Sequence, residues 1–79
     1  MKNDILMFHN LMRAMPLNAD MSISEICQAV ERSGGTFASE REPSVRRALQ
    51  LDENVYFEHH ASDRWARVRD YKPMRLSGI

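Results

Sequence analysis

The chain has 79 residues, enough for one small hydrophobic core and too few for two, so a cofactor-binding α/β domain, a kinase or a barrel is excluded. Eleven Lys and Arg balance eleven Asp and Glu, 43% of residues are apolar and 28% charged, which is the composition of a folded globular chain rather than a disordered or collagen-like one. A single cysteine allows no intrachain disulfide, so apolar burial must hold the fold together.

Ile5, Phe8, Met12 and Met15, with Leu11 beside them, recur at helical spacing and predict an amphipathic helix from about Asp4 to Ala14. Asn3 is its expected cap and Pro16 its stop; Met7 lies near the edge of the stripe, where it can add to a subunit contact. Leu17 to Asp20 reads as a turn. Ser22-Ile23-Ser24-Glu25 is a capping box that starts a second helix, with Ile23, Ile26, Cys27 and Val30 inward. Gly34-Gly35 supplies the left-handed backbone that ends it near Arg32 or Ser33. Phe37 is the one large apolar residue in the connection that follows and is expected to pin it to the core.

Pro43 suits the first turn of a third helix, where its missing N–H costs nothing. Val45, Ala48 and Leu49 fall on one side of that helix and Arg46, Arg47 and Gln50 on the other. Val55 to His59 alternates like a strand, and a polar link over His60 to Asp63 leads to a second strand from Arg64 to Arg69, giving a hairpin. Trp65 and Val68 are three apart, so strict alternation cannot bury both; a bulge or a partly exposed Trp65 is expected. Tyr71 to Ile79, with Pro73 and Gly78, reads as an irregular tail.

Three short helices followed by a two-stranded β-hairpin, an α+β order, resembles the winged helix-turn-helix domain of small bacterial and phage regulators. Glu42-Pro43-Ser44-Val45-Arg46-Arg47-Ala48-Leu49-Gln50 looks like its recognition helix, Ser22 to Ile26 like the start of its second helix, and Tyr56-Phe57-Glu58 with Arg64 to Val68 like its wing. The connection from Gly34 to Glu42 is longer than the three- or four-residue turn of the compact motif. The resemblance implies a domain over residues 1–71 with a tail over 72–79, and binding of double-stranded DNA by a small regulator or a phage or mobile-element accessory factor. The third helix then enters the major groove and the wing lies along the neighbouring backbone. Arg46 and Arg47 contact guanine edges or phosphates, Gln50 pairs with adenine, Ser44 holds a phosphate at the helix start, and Arg64, Arg67 and Arg69 neutralise phosphates from the wing.

Charge is unevenly placed. Residues 1–40 hold three basic and five acidic side chains, whereas Arg64, Arg67, Arg69, Lys72 and Arg75 face only Asp70 over their stretch. A neutral chain binds DNA poorly alone, so a homodimer that doubles the contacts is expected. The rival reading is a protein-interaction module on the same scaffold, an inhibitor of or adaptor for a host protein. In that case the arginines form the wet side of a helix and pair with Glu58, Asp63 and Asp70, and Tyr56 or Trp65 anchors the partner.

Cys27 on the buried stripe reads as a packed thiol. His9, His59 and His60 lack the spacing of a metal site, and no phosphate loop, nucleophile elbow or carboxylate pair marks an enzyme or a cofactor site. Neither a signal peptide nor a membrane span is read, and the expected location is the cytoplasm, that of the host cell for a phage protein.

Overall fold

A computed structural model describes residues 2–37 and 39–70, which run through α1 (Lys2–Ala14), β1 (Met21–Ser22), α2 (Ile23–Arg32), α3 (Arg41–Leu51), β2 (Phe57–Ala61) and β3 (Arg64–Arg67). The result is a small α+β domain in which three helices pack against a three-stranded antiparallel sheet of order β1-β3-β2. The sheet corrects the two-stranded hairpin expected from the sequence. Met21 and Ser22 lie opposite Trp65 and Arg64, so the edge of β3 that faces away from β2 is also paired. Two residues are too few to display an alternating pattern, which is why β1 is invisible in the sequence. The expected tail over Tyr71 to Ile79, and with it the boundary at residue 72, lies outside the described residues.

The capping box forms as expected. The Glu25 N–H donates to Ser22 Oγ at 3.1 Å and the Ser22 N–H to Glu25 Oε1 at 2.8 Å, satisfying two of the free donors at the start of α2. Ile23, Ile26, Cys27 and Val30 are all buried, and burial pushes the Cys27 thiol pKa up. Gly34, at φ +84°, turns the chain out of the helix. Val45, Ala48 and Leu49 of α3 complete the core with Phe57 and Trp65, and Phe37 packs partly buried against it.

The rotation of α1 differs from the expected one. Its buried stripe is Met7, Leu11 and Met15, spaced by four, while Ile5 is 59% exposed and Phe8 and Met12 are half-buried at the flank. Asn10 causes the difference. It is buried against the chain that leaves α2, its Nδ2 donating to the Thr36 carbonyl at 2.9 Å, and this turns the helix towards that side. Met7 is therefore core and does not face a neighbouring subunit. Asn3 lies inside the helix and not at its cap.

In the hairpin, Phe57 and Trp65 share the inward face, because His59 is opposite Trp65 and residues two apart on a strand point the same way. Trp65 is 2% exposed and stacks on His59 with centroids 4.4 Å apart, so it belongs to the core and not to an interface. Val68 is exposed. Of the two expected outcomes the bulge is the one that occurs: it lies in β2 between His59 and Ala61, across from Trp65 and Arg64, and the first strand starts at Phe57 because Val55 and Tyr56 form the turn after α3. No helix among the described residues is long and apolar enough to cross a membrane.

Candidate functional site

The solvent side of α3 follows from its core side. With Ser44, Val45, Ala48 and Leu49 buried, a 100° step per residue leaves Pro43, Arg47 and Gln50 outward and Arg46 at the flank. Arg46 leans towards the hairpin, its Nη1 donating to the Ser62 carbonyl in the β2–β3 turn at 3.3 Å. The same turn is fixed to α2 from below, because the Ile23 N–H donates to the Asp63 carbonyl at 2.8 Å. The start of α2, the outward side of α3 and the hairpin turn thus adjoin one another.

Arg47 flanks this surface on the α1 side. Its Nε and Nη2 donate to the two Asp4 carboxylate oxygens at 3.0 and 3.2 Å, a fork-to-fork pair that holds Asp4 below the usual carboxylate range and Arg47 above its ordinary value. Both groups remain open to water, and such pairs hold little free energy. Gln50 is exposed.

Two of the expected contact residues are taken up inside the fold. Ser44 is 7% exposed and its Oγ accepts the Ser39 N–H at 3.1 Å, so the hydroxyl closes the turn into α3 and does not face outward. Arg67 has a side chain only 11% exposed. Its Nε donates to the Met15 carbonyl at the end of α1 at 2.7 Å, and its Nη1 to Asp70 Oδ1 at 2.7 Å and to the Arg69 carbonyl at 3.2 Å. Strand parity explains this: Arg67 shares the face of Trp65 and Phe57, so its stem runs along the core and its head reaches the helix end. Arg69 is exposed beyond the end of β3.

Arg64 belongs to a further cluster on the hairpin. Its Nε donates to Asp20 Oδ2 and its Nη2 approaches Glu25 Oε1 at 3.9 Å, while Asp20 also meets His60 Nδ1. Asp20 is held below the usual carboxylate range, first by Arg64 and then by His60. Of the carboxylates expected to pair with the hairpin arginines, Asp70 does so and Glu58 takes His60 instead. Asp4 and Asp20 were not legible as partners, because they stand 43 and 44 positions from the arginines they hold and no local pattern links them.

Among the described residues no three His, Cys, Asp or Glu side chains group so as to hold a metal ion. The chain matches no protein-family model, no curated protein and no solved structure.

Proposed function

We propose that this domain is a winged helix that binds double-stranded DNA along the outward side of α3 and the adjoining hairpin turn. The observation that carries the reading is the junction of Arg46 with the Ser62 carbonyl, which joins a helix side bearing Arg46, Arg47 and Gln50 to the tip of a hairpin. The strand order, with β1 and β2 on either side of β3, supports it. A helix fits the major groove, where Arg46 and Arg47 offer forks to guanine or phosphate and Gln50 offers an amide to adenine. Arg64 and Arg69 supply charge from the hairpin, whereas Ser44 and Arg67 act inside the fold.

Four cations make a shallow electrostatic footprint. At about −0.9 per phosphate neutralised, the slope of log K against log salt is no steeper than about −4 for one copy, so two copies on paired half-sites are needed for tight binding. Fluorescence anisotropy with labelled duplexes at low and rising salt tests this. Binding with a slope in that range, lost in the Arg46→Ala and Arg47→Ala double variant, supports the reading; no binding at low salt refutes it.

The second reading, a protein-interaction module for a host protein, is favoured by the carboxylates seated on Arg47, Arg64 and Arg67 and by the exposed Ile5, Leu51 and Val55. Trp65, being buried, has no part in it. Under this reading no duplex binds and the double variant keeps its partner.

A further inference from the structure

His60 sits where β2 slips register: His59 is opposite Trp65 and Ala61 opposite Arg64, so His60 is the extra residue of a bulge, a device that re-aims a side chain. Its ring is placed between two carboxylates. Nδ1 lies 2.7 Å from Asp20 Oδ1 and Nε2 lies 2.9 Å from Glu58 Oε1. A neutral imidazole carries one N–H, so it can donate to one of these oxygens while its other nitrogen turns a lone pair on the second. Only the imidazolium donates to both. The geometry therefore specifies the charged form.

The groups around the ring come from every neighbouring element. Asp20 precedes β1, Glu58 stands on β2, Arg64 on β3 is bonded to Asp20, Glu25 on α2 approaches Arg64, and Asp63 occupies the turn. With His60 protonated, Asp20, Glu25 and Glu58 face two cations; without its proton they face Arg64 alone. Because β3 is the central strand, the bond from His60 to Asp20 ties the two outer strands' flanks together across it.

We propose that His60 is a proton-operated latch, closed as the imidazolium between Asp20 and Glu58 and opened when the ring loses its proton, which loosens the hairpin turn from the start of α2. Its pKa is raised by the bond to Asp20 first and to Glu58 second, which places the opening above the ordinary histidine range. On the duplex-binding reading, on which this last step rests, opening also weakens DNA binding, because the loosened turn carries the Ser62 carbonyl that seats Arg46 and the cluster has gained net negative charge.

The test uses the full chain and its His60→Gln variant. An NMR titration of the His60 ring is expected to give a midpoint above about 6.5, lowered in Asp20→Asn and in Glu58→Gln. Amide exchange is normalised to intrinsic rates. The Ile23 N–H, which donates to Asp63, is expected to lose protection above that midpoint in the wild type, whereas in His60→Gln its protection is independent of pH. A midpoint at or below the ordinary value, or Ile23 protection that follows the same course in both proteins, overturns the latch. In the duplex arm, tighter binding at about pH 5.5 than at about pH 8 in the wild type only supports the latch acting on DNA. Equal binding at both pH values overturns that action and leaves duplex binding standing. Absence of binding at both refutes the duplex reading, while the titration and exchange still decide the latch.

Discussion

Replacing Arg67 with alanine separates an internal role from a phosphate-binding one. The Nε bond to the Met15 carbonyl comes from a charged, largely buried donor, and such bonds contribute about 1.5–3 kcal/mol. A cation at a helix C-terminus adds about 0.3–1 kcal/mol, and the ion pair with Asp70, whose carboxylate is exposed, adds little. The first two contributions describe the same cation at the same carbonyl and overlap, so the expected loss is about 2–3 kcal/mol. For a domain of this size each kcal/mol moves Tm by about 4–8 °C, so the midpoint falls by roughly 8–24 °C in a thermal melt followed by far-UV circular dichroism. Asp70→Asn serves as the control and moves Tm only slightly. A variant that melts with the wild type, together with a DNA salt slope reduced by about one, refutes the internal role.

Gly35→Ala places a methyl 2.9 Å from Val30 Cγ1 and 3.0 Å from Asn10 Cγ, both inside the core, and is expected to cost about 1–3 kcal/mol in urea unfolding. Gly34→Ala meets no atom within 4 Å but forces an L residue to φ +84°, costing about 1–2 kcal/mol, most of which Gly34→Asn recovers. Stability follows a dome in pH. The raised His60 pKa gives stability that is complete below the ordinary 6.5 and lost as pH rises through the folded value; the lowered Asp4 and Asp20 pKa values give stability present above 3.8 and lost as pH falls through theirs. His60→Gln removes the alkaline decline and weakens the acid one only at Asp20, which keeps Arg64 but loses the imidazolium, while the Asp4 part, held by Arg47, is unchanged, as Tm measured across pH will show. Cys27, buried with a raised thiol pKa, reacts with a thiol reagent only as fast as the domain opens, so urea accelerates its labelling.

The parts of the fold written in the sequence are those with local causes. The Ser22–Glu25 box, the inward positions of α2 and α3 and the left-handed Gly34 each depend on residues within one or two turns. The rotation of α1 was ambiguous because two stripes, one through Ile5, Phe8 and Met12 and one through Met7, Leu11 and Met15, are almost equally apolar. The choice falls to Asn10 and its bond to Thr36, 26 positions away. The candidate site divides the same way. The outward Arg47 and Gln50 and the flanking Arg46 follow from helical period, but the fates of Arg64 and Arg67 were set by strand parity and by distant groups, Asp20 and the Met15 carbonyl.

The central strand also governs when this chain can fold during its synthesis. A ribosome that has released α1, α2 and α3 has not yet supplied Trp65, the partner for β1, or the guanidinium that closes the end of α1. Until residues 64–67 clear the exit tunnel, the apolar sides of the helices have no sheet to settle on. A nascent chain interrupted before Arg64 is therefore not a smaller version of the domain, because it lacks the strand on which both β1 and β2 pair.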